Sequence, residues 1–163
     1  MAALPGKICK LSGGNVTETP EVSIKTIGIL GGTGKEGKGL AYRWSKAGYS
    51  IIIGSRTFEK AVVAAEEIRK LLGGEAAVTG MENSDAARLS DIVVLTVPFN
   101  AHVPMLESLK DALQGKILID VTVPLVPPKV AKVQMPPEGS AAMQAQQILG
   151  EGVQVVAAFQ NIS

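Results

Sequence analysis

The sequence predicts one α/β domain in which helices cover both faces of a parallel sheet of about six strands, a doubly wound arrangement. From residue 26 onward, short apolar segments alternate with longer segments of helical periodicity, which is typical of βαβ units. A glycine-rich turn joins the first strand to the first helix. With 163 residues, 46% of them hydrophobic, the chain has the length of a single domain with a sizeable core.

The first half of this domain is predicted to hold three strands and three helices. Residues 26–30 are an apolar run that ends at glycine, which indicates a buried strand. A helix over 35–47 carries one apolar stripe and stops at Gly48, and a helix over 58–72 has Thr57 as its candidate N-cap. The other elements predicted here are a strand over 50–54, a strand over 76–79 and a short helix over 84–89.

The second half continues the alternation. Residues 91–97 form a nearly continuous apolar run closed by Pro98, which suits a central parallel strand covered on both faces. The loop over 122–139 is rich in proline and long for a compact domain, so we expect either a lid or an unstructured segment there. The remaining predicted elements are a helix over 100–113, a strand over 116–121, a helix over 140–149 and a strand over 153–159.

Composition and charge exclude several classes of function. One cysteine cannot form an internal disulfide, and with one histidine it cannot supply a zinc site of Cys and His ligands, so no metal is expected. A net charge of +1 without a basic run gives no reason to expect nucleic acid. No apolar run reaches the ~18 residues of a membrane span, so the expected location is the cytoplasm. We expect residues 1–25 to be a flexible N-terminal extension and residues 26–163 to be the folded domain.

The turn after the first strand carries the pattern G-x-G-x-x-G, typical of dinucleotide-binding (Rossmann) domains. In this pattern the first glycine allows a tight turn, the second lets the backbone approach a pyrophosphate, and the third lets helix and strand pack closely. The phosphates then meet free N–H groups at the positive end of the helix dipole. The six residues of the motif are Gly32, Thr33, Gly34, Lys35, Glu36 and Gly37.

Two other patterns overlap the same stretch. Residues 32–38 also read G-x-x-x-x-G-K, as in the phosphate-binding loop of nucleotide hydrolases, but Gly39 stands where that motif needs Ser or Thr for Mg²⁺. Tyr42 and Lys46 have the Y-x-x-x-K spacing of short-chain dehydrogenases, but on the first helix they cannot reach a hydride acceptor. The strand, turn and helix together favour a dinucleotide.

The end of the second strand indicates which dinucleotide. A domain specific for NAD usually has an acidic residue there to bind the ribose 2′-hydroxyl. Here the strand ends in Gly54, Ser55 and Arg56, and a hydroxyl with a guanidinium suits a 2′-phosphate. Lys60 falls in the first turn of the following helix, where the helix dipole disfavours a cation unless an anion binds nearby. These residues favour NADP over NAD.

The residues quoted above resemble the NADPH:coenzyme F420 oxidoreductase family. The resemblance rests on the glycine turn, on the Ser-Arg pair with its lysine, and on further stretches that run to the end of the chain. Those stretches are Thr79-Gly80-Met81 followed by Asn83, then residues 85–87, 91–98, 124–127 and 139–142. The ferric-reductase domains of some membrane oxidoreductases share the pattern, so a flavin or ferric reductase is an alternative.

The resemblance implies hydride transfer between NADP(H) and the deazaflavin coenzyme F420, with small-molecule cofactors as the partners. It places the motif residues at the pyrophosphate and adenine, Ser55, Arg56 and Lys60 at the 2′-phosphate, and Pro98 and Phe99 at the nicotinamide. It places Gln160, Asn161 and Ile162 beside the deazaflavin ring. No catalytic acid, nucleophile or metal is expected, because the two cofactors carry the reaction.

Three further expectations concern the rest of the chain. His102 is expected at the surface or as a helix cap, since spacing places no carboxylate with it. Family members continue through a further helical segment, which we expect to be absent here because the sequence stops at Ser163. Without that segment, the alternative is an NADP-binding domain with no turnover of its own, and self-association, as a homodimer or a larger species, is expected through the C-terminal edge.

Overall fold

The computed structural model describes residues 24–125 and 132–161, so the expected N-terminal extension and Ile162 lie outside the described residues. Six strands are parallel and hydrogen-bonded in sequence-number order 3-2-1-4-5-6, which is the strand order of the Rossmann fold. The predicted fold class is therefore confirmed. The strands are β1 (Thr26–Leu30), β2 (Ser50–Ser55), β3 (Val78–Glu82), β4 (Ile92–Leu95), β5 (Ile117–Asp120) and β6 (Gln154–Ala157).

The helices follow the predicted segments, but their caps differ from expectation. The hydroxyl of Ser140 accepts a hydrogen bond from the N–H of Met143 at 3.1 Å and caps the last helix. Thr57 occupies the N-cap of the second helix, yet its hydroxyl makes no capping hydrogen bond. The prediction that Thr57 caps this helix through its side chain is therefore wrong. The helices are α1 (Lys35–Lys46), α2 (Phe58–Leu71), α3 (Asn83–Arg88), α4 (Phe99–Leu113) and α5 (Ala141–Leu149).

The third strand is the element whose position differs most from the prediction. It begins at Val78 rather than at residue 76 and continues to Glu82. Pairing with β2 sets this register, since Ile51 faces Val78 and Ser55 faces Glu82. Gly80 lies so close to α2 that an added Cβ would meet the backbone of Ala61. A strand containing Gly and Glu has a weak local signal, so its bounds depend on its partner.

A buried core lies on each face of the sheet, as expected for parallel strands covered by helices. On the side of α1 and α2 the core includes Ile29, Leu40, Ile51, Ile53, Ile68 and Val94. On the side of α3, α4 and α5 it includes Leu30, Leu95, Leu106, Leu113, Leu118 and Leu149. Within residues 24–125 and 132–161, no helix is both long enough and apolar enough to cross a bilayer.

The sheet order reverses at β1, and this positions the functional site. β1 pairs with β2 on one side and with β4 on the other, so the connections from β1 and from β4 leave in opposite directions. In open parallel sheets a crevice forms at such a point, beyond the carboxyl ends of the strands. Here the crevice lies where β1 passes into the glycine-rich loop and where β4 passes into α4.

Candidate dinucleotide site

The glycine-rich loop is held against the carboxyl ends of its neighbouring strands. Gly31 has φ +67°, a left-handed conformation that glycine adopts without strain. The N–H of Gly31 donates to Oδ1 of Asn83 at 3.1 Å, and the N–H of Gly32 donates to the carbonyl of Gly54 at 3.0 Å. These two hydrogen bonds fix the loop at the start of α1.

The glycines of the motif meet different surroundings. A Cβ on Gly32 would lie 2.6 Å from the carbonyl oxygen of Ile29, and one on Gly37 would lie 2.5 Å from Cα of Gly32. A Cβ on Gly34 would have no atom within 4 Å. Gly32 and Gly37 therefore serve packing, whereas Gly34 faces open space. The motif assigned the tight turn to Gly32, but the left-handed residue is Gly31.

The start of α1 offers unused hydrogen-bond donors next to that space. Gly34 is the N-cap residue and has no side-chain capping bond, and the N–H of Lys38 donates to its carbonyl at 2.9 Å. The N–H groups of Lys35, Glu36 and Gly37 precede that first helical bond. Together with the helix dipole they form a site suited to an anion such as a pyrophosphate. The side chains of Lys35 and Glu36 are exposed there.

A cavity of about 600 Å³, here the β2 cavity, lies beyond the carboxyl end of β2. Its lining includes Ser55, Arg56, Glu82, Asn83 and Asn100. Ser55 is only 7% exposed and its hydroxyl accepts a hydrogen bond from the N–H of Thr57 at 3.3 Å. Because Asn83 also holds Gly31, this cavity adjoins the glycine-rich loop.

Lys60 lies in a smaller cavity of about 390 Å³, which it shares with Thr33 of the glycine-rich loop and with Glu59. Lys38 in the same cavity is paired with Glu67 at 2.8 Å. Across the described residues, Arg56 and Lys60 have no ion-pair partner. Arg56 in the β2–α2 turn and Lys60 in the first turn of α2 thus lie where the sequence predicts the 2′-phosphate.

A third cavity, of about 550 Å³ and here called the β4 cavity, lies beyond the carboxyl ends of β4 and β5. Pro98, Phe99 and Thr122 line it, and Gln160 closes it from the end of β6. Asn100 belongs to both the β2 and the β4 cavities, so the first turn of α4 lies between them. Asn161 lies with Gln160 in an adjoining cavity of about 510 Å³.

Glu36 also lines the β4 cavity, although the resemblance assigned it to the pyrophosphate and adenine side. Although this side chain is exposed, the protein around it removes part of its hydration, and this raises the pKa of the carboxyl above its ordinary value because desolvation disfavours the charged form. The chain thus places a carboxyl group beside the β4 cavity, at the same helix end that favours anions.

The expectation for His102 is wrong. This residue is fully buried, and its Nε2 lies 2.8 Å from Oδ2 of Asp120, which is also fully buried. Sequence reasoning missed the pair because 18 residues separate the two side chains and only the position of α4 on β5 brings them together. It also gave no role to Asn100, in the first turn of α4, or to Thr122, two residues after β5.

Residues 26–124 match the family described as NADP oxidoreductase, coenzyme F420-dependent. The chain belongs to this family. The resemblance that the glycine-rich loop, Ser55, Arg56 and Lys60 indicated is thereby confirmed.

Relatives and a solved structure extend the comparison. The F420-dependent NADP reductase of Methanocaldococcus jannaschii is 44% identical over 142 residues, which cover 83% of this chain and 63% of that protein. The protein of the same name from Methanothermobacter thermautotrophicus is 43% identical over 148 residues, 88% of this chain and 64% of that protein. The chain therefore spans less than two thirds of these relatives' length. A crystal structure assigned to an F420-dependent NADP reductase from Arthrobacter shares the fold, with a TM-score of 0.69 at 24% identity over 86% of this chain and 64% of that one.

Proposed function

We propose that this chain binds NADP(H) along the crevice at β1 and takes part in hydride transfer between NADP(H) and coenzyme F420. The observation that carries the proposal is that Arg56 and Lys60, which have no ion-pair partner within residues 24–125 and 132–161, lie near a glycine-rich loop with open space at Gly34. A pyrophosphate fits that space, and a 2′-phosphate fits the two cations. The relatives named F420-dependent NADP reductase support the same assignment.

Each part of the crevice has a role in this proposal. The first-turn N–H groups of α1 hold the pyrophosphate, while Ser55 and Arg56, with Lys60 and Thr33 beside them, hold the 2′-phosphate. Pro98 and Phe99 orient the nicotinamide ring in the β4 cavity. Gln160 and Asn161, with Ile162 next in sequence, face the deazaflavin. NADP(H) and coenzyme F420 supply the hydride chemistry when bound, so the chain's own task is to align them and exclude water.

An acceptor assay tests this proposal. Oxidised coenzyme F420 is mixed with NADPH and the protein, and its deazaflavin absorbance band is followed, with a flavin and ferric iron as acceptors in parallel. Loss of the band that depends on protein and on NADPH is the expected result. If the protein binds NADPH but reduces none of the three acceptors, the hydride-transfer proposal is wrong and the chain is an NADP-binding domain alone. Turnover with a flavin or iron alone would identify a different acceptor.

We also propose a homodimer formed through the outer edge of β6. In the part of the chain that the structure describes, β6 is the last strand of the sheet, and Val156 on it is 45% exposed. An edge strand with exposed apolar side chains readily pairs with another copy. Light scattering after gel filtration should show a dimer that Val156→Lys disrupts. The control is Leu71→Lys, at an exposed apolar position on α2, which should leave the dimer intact. The cytoplasmic location remains a prediction.

A further inference from the structure

The roles proposed above for the cofactor-binding residues do not use the buried pair His102 and Asp120. Both side chains are fully buried, with 2.8 Å between Nε2 of the imidazole and Oδ2 of the carboxylate. Burying such groups requires desolvating them, and an apolar pair of similar volume is often at least as stable. A gain in stability therefore does not explain why the two residues are buried together. The residues around the pair point to a different role.

The pair joins three parts of the β4 cavity wall. Oδ1 of Asp120 accepts a hydrogen bond from the N–H of Thr122 at 3.0 Å. The hydroxyl of Thr122 donates to the carbonyl of Val97 at 3.4 Å. The ring of Phe99 stacks on the ring of His102, with 5.9 Å between centroids and 27° between planes. Val97, Phe99 and Thr122 all line the cavity.

The first turn of α4 needs an anchor of this kind. Its N-cap is Pro98, which provides no side-chain capping bond, and within the described helix no acidic residue stands in the first turn. Pro104 inside the helix has no N–H, so it cannot bond to the carbonyl of Asn100 four residues earlier. The hydrogen bond between His102 and Asp120 ties this turn to the end of β5 instead.

We propose that His102 and Asp120 are positioning residues that hold Phe99 and Thr122 in place and so fix the nicotinamide end of the NADP(H) site. The inference rests on the proposed function, because it assigns the β4 cavity to the nicotinamide. Neither side chain touches the cofactor. The hydrogen bonds and the ring contact of the pair lead to Thr122 and Phe99 and involve neither Ser55 nor Arg56, so the adenine half of the site should keep its affinity.

The test compares two ligands on one set of variants. NADPH occupies both halves of the site, whereas 2′,5′-ADP occupies only the adenine half with its 2′-phosphate. The double variant His102→Leu/Asp120→Val removes the tie without leaving a buried charge. Calorimetry should show that it binds NADPH roughly threefold to tenfold more weakly, the loss expected for one hydrogen bond, while 2′,5′-ADP binds as in the parent protein. Asp120→Asn, made in the parent protein, keeps both hydrogen-bond positions and should bind NADPH as tightly as the parent does.

Two results overturn the inference. Equal losses for both ligands show a general structural role, and no loss for either shows that the pair has no role in binding. If the double variant does not fold, His102→Gln takes its place in the test. Glutamine keeps a hydrogen-bond donor near Asp120 but removes the ring on which Phe99 stacks. It should weaken the binding of NADPH and leave the binding of 2′,5′-ADP unchanged. Failure of the proposed function is separate, because the parent protein would then bind NADPH no more tightly than NADH.

Discussion

The same change at two glycines of one loop, Gly34→Ala and Gly37→Ala, should have opposite consequences. The Cβ added at Gly37 would lie 2.5 Å from Cα of Gly32 and 2.7 Å from its carbonyl oxygen. Ordinary contacts begin at 3.4 Å, so α1 or the loop must move by the difference, about 0.9 Å. The loop resists this movement because the N–H groups of Gly31 and Gly32 are hydrogen-bonded to Asn83 and to β2.

The cost at Gly37 follows from these contacts. Forcing a methyl group into a packed contact costs about 1–3 kcal/mol, and weakening one loop hydrogen bond adds about 1 kcal/mol. Alanine returns about 0.5–1 kcal/mol, because it is the better helix former. We therefore expect Gly37→Ala to lower the free energy of unfolding by about 1–3 kcal/mol. For a chain of this length that lowers Tm by roughly 2–12 °C.

At Gly34 the effect should fall on binding instead. The backbone has φ −75° and ψ 172°, which alanine adopts without strain, and the added Cβ meets no protein atom within 4 Å. The loss of a glycine N-cap costs at most about 1 kcal/mol. The methyl group would occupy the space proposed for the pyrophosphate, so NADPH affinity should fall by more than about tenfold.

Thermal unfolding and calorimetry with NADPH, run on both variants, separate the two effects. The expected pattern is a stable Gly34→Ala protein that binds poorly and a less stable Gly37→Ala protein. Normal NADPH affinity in Gly34→Ala would place the pyrophosphate elsewhere. An unchanged Tm in Gly37→Ala would refute the close contact between α1 and the loop.

Two further predictions concern carboxyl groups. Glu36→Gln should bind NADPH roughly twofold to fivefold more tightly than the parent protein at neutral pH, because it removes a charge that repels the pyrophosphate. This advantage should vanish as the pH falls through the raised pKa of Glu36, because the parent carboxyl then becomes neutral as well. A ratio of the two NADPH affinities that stays constant across pH, measured by calorimetry, would contradict this. Asp91 accepts hydrogen bonds from the N–H groups of Lys25 and Thr26, which lower its pKa. The contribution of the Asp91 carboxylate to the free energy of unfolding is thus present at neutral pH and lost as the pH falls below about 4 toward the lowered pKa. Urea titrations should therefore show that Asp91→Asn lowers the free energy of unfolding by about 0.5–1 kcal/mol at pH 7 and leaves it unchanged in acid.

Local sequence signals were sufficient for most of the fold. The strand at Thr26–Leu30 and the helix that follows it were predictable because an apolar run, glycines and a 3.6-residue period occur within one short stretch. The bounds of β3 could not be predicted, because its register depends on pairing with β2 and its close approach to α2 depends on Gly80. Propensity describes a single segment and carries no information on such partners.

In the candidate site, too, contacts between neighbours in sequence could be predicted, whereas contacts between distant residues could not. The glycine-rich loop and the Ser55-Arg56 pair stand together in the sequence, so their chemistry could be read directly. Asn83 bonds to Gly31 across 52 residues, and His102 bonds to Asp120 across 18. Each of these contacts exists only because parallel strands bring their carboxyl ends to one edge of the sheet. Polar residues at a strand end or in the first turn of a helix are too common a pattern to identify such partners.

The preference for NADPH over NADH tests the central claim most directly. Calorimetry would compare both cofactors on the parent protein, on Arg56→Ala, and on the control Arg69→Ala, which also removes one positive charge but in the last turn of α2. Two contacts to the 2′-phosphate, at about 1.5–3 kcal/mol each before desolvation losses, predict tenfold to several-hundredfold tighter NADPH binding. Arg56→Ala should lose most of that preference and Arg69→Ala should keep it. Equal affinities for NADPH and NADH in the parent protein would contradict the account.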